Sequence, residues 1–428
     1  MSLSARATVA SAPANGSLLW DVQADLWNPD SNPQGYVSLG MAENVLMQEA
    51  LLKRVAQVPL IPATAFTYGD GTTGSKRLKN ALGAFLTKHF HAYRRVKASH
   101  ITITNGCSAA IEHLAWAFGN QDDFFLVGKP FFRAFVPTTG LRVATNLISV
   151  PCEGLDPFGI DVVQNYEGEI VRAHGRGQKV AGIILCNPHN PLGRCYTRDA
   201  IIGLMRLCQK HKLHLISDEV YGLSTFTNDI DSIPPSTPFT SCLSVDTTNI
   251  VDPALIHVVW GFSKDFGSNG IRLAAVISQE NPALHRALVP GALYSMSSSL
   301  ADHTFSSILE YESWVDDYLV ENRRLLARHH KFIVNWARDH KITYAPGANA
   351  AFFLWADLGK AYRDRHPEKI IEDPEKEIMA IMLQHKVFLA PGQGFGAEEN
   401  GWFRLVFSIN LKTLTEGLSR VMLALEHQ

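Results

Sequence analysis

Short apolar runs alternate along the chain with loops and with stretches of helical periodicity. The run 124–127 (FFLV) leads into GKPFF, and 180–185 (VAGIIL) leads into CNPHNPLG. The run 213–216 (LHLI) leads into SDEVYG, and 256–260 (IHVVW) leads into GFSKDFGSNGIR. Near-continuous apolar runs of this kind suit strands buried on both faces, as in a parallel sheet covered by helices. Between them, 77–90 places Leu78, Leu82, Phe85 and Leu86 at i, i+4, i+7 and i+8, one face of a helix. The segment 110–118 also has a helical pattern, and 305–340 contains no Pro or Gly, which predicts one long connecting helix. Beyond it, 351–356 and 402–407 read as strands of a smaller α+β unit. The expected fold class is α/β: a mostly parallel central sheet flanked by helices, with a smaller α+β domain.

Ligands of open α/β sheets sit beyond the carboxyl ends of the strands. The four loops quoted above all leave such ends, so their contents are expected to converge on one site. Composition narrows the class of function. The 428 residues are 46% hydrophobic and 19% charged, with a net charge of −2, which gives no electrostatic basis for binding nucleic acid. No apolar run approaches the roughly 20 residues that a membrane helix needs. The opening MSLSARATVASAPANGS has no apolar core of a secretory leader and reads as a polar arm. Its Asn15-Gly-Ser17 fits a glycosylation sequon, which carries little weight without such a leader. The six cysteines are scattered without a CxxC pair, which favours free thiols and the cytoplasm. The 17 histidines include no HExxH, so no metal is expected. Gly69-Asp-Gly-Thr-Thr-Gly74 fits GxGxxG, but no strand-like run closely precedes it and no acid follows at the required distance.

Lys264 follows a buried run and sits among small residues, in what reads as a loop. By itself it would be a solvated lysine, just as Asp218 by itself would be a helix cap or turn residue. Together they suit a carbonyl cofactor such as pyridoxal phosphate, with which a desolvated lysine amine forms a Schiff base. Asp218 can keep the cofactor's pyridinium protonated, while Tyr221 and Asn190 can donate to its phenolic oxygen. Arg272 offers a fixed charge for the phosphate, Cys107 and Ser108 open a helix whose N-terminus is an anion site, and Phe132 can stack on the ring.

These residues resemble the fold-type I pyridoxal phosphate enzymes, aminotransferase class I/II, and particularly the 1-aminocyclopropane-1-carboxylate (ACC) synthase-like branch. NPQGYVSLGMAEN, NPHNPLG, SDEVYG, FSKDFGSNGIR and GWFRLVF carry the resemblance, in the family's order, from about residue 30 to about 410. It implies an N-terminal arm and first part of the small domain over 1–60, a large cofactor-binding domain over 61–305, and a small C-terminal domain over 306–428. It also implies that Lys264 is the Schiff-base lysine and the base for the Cα proton, with Asp218 on the pyridine nitrogen. Ser108, Ser263 and Arg272 would hold the phosphate, with Cys107 contributing backbone, and Arg404 would grip the substrate's α-carboxylate. Glu43 would lie near the substrate entrance, and Tyr68 would reach across the interface of a homodimer with shared active sites. Two positions depart from the family: Gly261 stands where a phosphate-binding serine is common, and Phe132 where Tyr or Trp is frequent. The implied reaction is on the Cα of an amino acid, with aminotransferase ranked first. The alternative is a lyase of the ACC synthase-like type, either ACC synthase itself or a C–S lyase of secondary metabolism.

Overall fold

The computed structural model describes residues 3–11, 17–58 and 60–427, so Asn15 of the sequon lies outside the described residues. Near the N-terminus, Ala5–Ala10 is an exposed helix, and β1 (Val37–Ser38) follows a second helix at Ser17–Ala24. The central sheet contains β2 (Ile101–Thr104), β3 (Phe124–Gly128), β4 (Asn146–Val150), β5 (Val180–Cys186), β6 (His214–Asp218), β7 (Ile256–Gly261) and β8 (Ala274–Ile277). Their spatial order is β2-β8-β7-β6-β5-β3-β4, with β8 antiparallel to both neighbours and the other pairings parallel. All seven residues of β5 and all six of β7 are buried, as expected for strands covered on both faces. The reading from sequence missed β2, β4 and β8. Buried threonines interrupt β2, β4 is partly open, and β8 is four small or branched residues.

A second sheet of four strands has the order β12-β13-β10-β9, from β9 (Thr343–Tyr344), β10 (Phe353–Asp357), β12 (Ala390–Pro391) and β13 (Trp402–Val406). The N-terminal segment joins this part of the molecule. β1 pairs in parallel with β11 (Val387–Phe388), and the Val406 N–H donates to the Leu39 carbonyl at 2.8 Å. Val37 and Leu39 pack with Phe352, Phe353, Phe403 and Leu414 in one apolar cluster that also takes in Tyr221 from the loop after β6. Tyr221 therefore ties the end of the large sheet to the core of the small one.

The helix read at 77–90 is Lys76–His89, and its four apolar positions are buried as the periodicity requires. Each such burial stabilises by about 1.5–3 kcal/mol relative to exposure. Ser75 caps it: its hydroxyl accepts the Leu78 N–H at 2.9 Å and donates to Asp302 at 2.6 Å. The single helix expected over 305–340 is instead two, Ser299–Leu309 and Glu312–Asp339. The chain leaves helical geometry at Tyr311 (φ −99°, ψ 69°) without help from Pro or Gly. Residues at the break meet partners far away in sequence. Arg77 donates twice to Glu310, and the Arg54 guanidinium lies 4.2 Å from the centroid of the Tyr311 ring.

Candidate active site

Asp218 closes β6, and Lys264 lies just beyond the end of β7, the neighbouring strand. The loop expected around Lys264 is one helical turn, Phe262–Asp265. That turn is fixed from below by Asp265, whose carboxylate accepts the Trp260 indole N–H (2.8 Å), the Ser224 hydroxyl (2.7 Å) and the Leu223 N–H (3.1 Å). Lys264 is thus presented by a turn anchored to the loop that carries Tyr221.

A cavity of about 150 Å³ opens at these strand ends. It is lined by Lys264, Asp218, Tyr221, Asn190, Cys107, Ser108, Phe132, Ser263 and Arg272. These are all nine of the cofactor-site residues expected from sequence. The carboxyl-end rule explains the convergence of eight of them, which follow β2, β3, β5, β6 and β7, and Arg272 reaches the same edge because it precedes the antiparallel β8.

The cavity's electrostatics follow from burial. Asp218 is 3% exposed, and its carboxylate accepts a hydrogen bond from the Val220 N–H at 3.3 Å. Desolvation pushes its carboxyl up to about 7, against smaller opposing effects of that bond and of the Lys264 charge. The Lys264 amine donates to the Ala42 carbonyl and is pushed down to about 8, first by burial and then by the Arg404 charge. A buried carboxylate with so little hydrogen bonding suits a cationic N–H partner.

A helix start and an arginine line the same cavity. The helix Cys107–Phe118 starts three residues earlier than its apolar pattern suggested, which puts Cys107 and Ser108 in its first turn. Its N-cap, Gly106, has φ +124° and no side-chain capping bond. A Cβ at Gly106 would meet the Arg272 Nη2 at 2.2 Å, so glycine is what lets the guanidinium lie over the helix start. Arg272 is held there by its own left-handed backbone (φ +57°) and by donation to the Asn269 carbonyl at 2.8 Å. The missing serine at Gly261 has a steric explanation: a Cβ there would meet Ala274 Cβ at 2.7 Å, with Cys107 Sγ and the Leu273 carbonyl each at 3.0 Å.

Arg404 comes from β13 of the small sheet and is 3% exposed. It donates to Asn190 Oδ1 and to the Gly40 carbonyl, both at 2.7 Å, while its Nε has no partner. Desolvation pushes it down to about 10, and no carboxylate among the described residues is one of its electrostatic partners. Because Asn190 spends its oxygen on Arg404, its amide N–H groups stay available to the cavity.

Glu43 is near but not in the lining: its carboxylate lies 3.4 Å from the Asn269 amide and within electrostatic reach of Lys264. Tyr68 is not brought to Lys264 within this chain. It is 75% exposed and lines a separate cleft with residues of 62–77 and 296–303. Six lining residues were not singled out from sequence, Ile111, Phe135, Thr138, Cys186, Val220 and Asn269, nor was Arg133 beside Phe132. Asn269 lay inside the quoted motif, and Arg133 directly followed KPFF.

Comparison with known proteins gives the same picture. The family described as aminotransferase class I and II matches residues 38–421. The 1-aminocyclopropane-1-carboxylate synthase-like protein 1 of Takifugu rubripes is 31% identical over 96% of this chain, and the chain spans 65% of that relative's length. The probable aminotransferase gliI of Aspergillus fumigatus is 32% identical over 83% of this chain and 81% of its own. Aspartate aminotransferase of Thermotoga maritima superposes over 99% of this chain and 100% of its own, with a TM-score of 0.75 at 20% identity, a likeness of fold. With most of its length matched and its expected lysine, aspartate and phosphate-side arginine gathered in one cavity, the chain belongs to the aminotransferase class I and II family of pyridoxal phosphate-dependent enzymes.

Proposed function

We propose that the protein is a pyridoxal phosphate-dependent enzyme acting at the Cα of an amino acid, and that it is an aminotransferase. One observation carries this reading: Lys264 and Asp218, from the ends of adjacent strands, share a cavity with Arg272 and a helix N-terminus. The residues present fit the cofactor. Asp218 is a buried carboxylate short of partners, and Gly106 leaves room for a guanidinium over an uncapped helix start. Bound there, pyridoxal phosphate supplies an electron sink for the pair left on Cα when its proton departs.

The chain's own groups do the rest. Lys264, with its amine pushed down to about 8, is partly unprotonated near neutral pH and can take and return the Cα proton. Asp218 holds its charge against a cationic ring nitrogen, and Tyr221 and Asn190 donate towards the phenolic oxygen. Phe132 covers a ring face, while Arg272, Ser108, Ser263 and the Cys107 backbone hold the phosphate. Arg404 orients the α-carboxylate through its fork of donors. In this reading 61–305 carries the cofactor, and 306–428 together with part of 1–60 closes on the substrate. Glu43 stands at the entrance.

A homodimer belongs to the same proposal. Tyr68 is exposed beside Leu60 (97%) and Phe66 (76%), apolar surface that an interface would cover. A cytoplasmic location is supported by six unpaired cysteines, and no described helix is long and apolar enough to cross a membrane.

The names of the ACC synthase-like relatives favour a second reading, a lyase that removes a side-chain leaving group or forms ACC. A screen of amino acids with 2-oxoglutarate, following glutamate, ammonia, thiol and ACC together, separates the two. Glutamate with a matching 2-oxo acid is the expected outcome. Ammonia, thiol or ACC formed without any acceptor would replace the aminotransferase reading with the lyase.

A further inference from the structure

After β1 the chain runs between the small sheet and the turn that carries Lys264. Ser408 holds this strap from the small-sheet side. Its hydroxyl donates to the Glu43 carbonyl at 2.6 Å, and its own carbonyl accepts the Val45 N–H at 3.0 Å. On the other side the Ala42 carbonyl takes the Lys264 amine, and Asn269 Nδ2 reaches the same oxygen at 3.2 Å. A carbonyl has two lone pairs and can serve both donors.

One residue past Glu43, Asn44 is buried and forms a three-way joint. Its Nδ2 donates at 2.9 Å to Asn322 Oδ1, on the helix Glu312–Asp339, and faces the Lys264 main-chain carbonyl at 3.4 Å. The Asn44 carbonyl presses on the same turn at Gly267 (φ +60°), where an added Cβ would lie 2.2 Å from it. Asn322 is also fully buried, and its own Nδ2 has no partner among the described residues. Two apolar side chains would fill this space without leaving a polar group unsatisfied. What the amide pair adds is one fixed geometry between strap, turn and helix.

The amine that meets Ala42 lies among charged and titratable groups from several elements. Asp218 comes from β6, Arg404 from β13, Glu43 from the strap, Arg272 from the segment before β8, and the Cys107 thiol from a helix start. Burial lowers the proton affinity of this amine, whereas a carbonyl that accepts from it favours the charged form. We propose that Asn44, held by Asn322, is a positioning residue that keeps the Ala42 carbonyl at the Lys264 amine, to take the ammonium formed when Lys264 accepts the Cα proton. This rests on the reading above that Lys264 is the base at Cα. In that step the bonding pair stays with Cα, and the proton and its charge go to Nζ, which then has three N–H donors to place.

The test is the proton affinity of Lys264 in the full-length protein loaded with pyridoxamine phosphate, a form of the cofactor that leaves this amine free. Trace acetylation at graded pH, followed by peptide mass mapping, gives the midpoint at which Lys264 becomes reactive, with the exposed Lys341 as internal standard. Asn44→Ala is expected to lower the midpoint by about one pH unit, a tenfold loss of proton affinity, the size of a hydrogen bond to a charged group. Asn322→Ala should lower it as well, and decides alone if Asn44→Ala does not fold. A joint that only filled space would act with the opposite sign, because loosening it admits water, relieves desolvation and raises the midpoint. An unmoved or raised midpoint would therefore overturn the inference. Failure of the underlying reading shows separately, as a pyridoxyl group fixed by borohydride on a lysine other than Lys264 in the unaltered protein.

Discussion

Burial acts on Asp218 in a way that can be measured. Without a cofactor it faces a desolvated cavity, and its carboxyl is pushed up to about 7. Glu219 next to it is also pushed up to about 7, and Asp265 to about 6, in both cases by desolvation. All three folded values lie above the unfolded ones. The stability they permit is therefore full below about pH 4 and is lost as pH rises through about 6 to 7. Cofactor-free protein is expected to melt at lower temperature at pH 8 than at pH 5, and Asp218→Asn should flatten part of that slope. Saturating pyridoxal phosphate should flatten it as well, by giving the carboxylate a cationic partner. An unchanged slope in Asp218→Asn would remove Asp218 from the account. At Gly261, the crowding by Ala274, Leu273 and Cys107 predicts that the family's serine does not fit. Gly261→Ser should cost about 1–3 kcal/mol in chemical denaturation. Adding Cys107→Ala should recover part of that loss, since it removes one of the three contacts. A serine variant of full stability and tighter cofactor binding would contradict this.

Between elements, the decisive junctions are strand ends that meet helix starts. Gly106 lets the helix Cys107–Phe118 begin under the Arg272 guanidinium. Gly106→Ala forces a side chain into φ +124° and displaces that guanidinium, at a cost of about 1–3 kcal/mol. Cofactor affinity measured by titration should fall about tenfold or more, because one phosphate contact is lost. Unaltered affinity would move the phosphate away from this junction. This part of the site was legible in sequence because Asp218, Asn190 and Lys264 each follow an apolar run, and the carboxyl-end rule assembles such residues without coordinates. The break between the helices Ser299–Leu309 and Glu312–Asp339 was not legible. The residues at the break meet Arg77 and Arg54 from far along the chain, while the local sequence contains no Pro or Gly to mark it. β8 was hidden for a related reason, since four small or branched residues become a strand only by pairing with both β2 and β7.

At the scale of the whole molecule, the proposed site takes Lys264, Asp218 and Arg272 from the large sheet and Arg404 from the small one. Tyr68 lies on exposed surface outside this cavity. The exposed apolar residues around Tyr68 predict a particle of about twice the 47.3 kDa chain mass in light scattering. A monomer with full activity would contradict shared active sites. The central claim is that Lys264 is the covalent anchor of pyridoxal phosphate and the base at Cα. Borohydride reduction of the loaded protein, followed by peptide mass mapping, tests it most directly. The account predicts the reduced pyridoxyl group on Lys264 alone. It also predicts that Lys264→Ala neither acquires that group nor retains turnover, with a loss of at least about 10²–10⁴-fold. A pyridoxyl group fixed on another lysine, or a Lys264→Ala protein with full turnover, would contradict it.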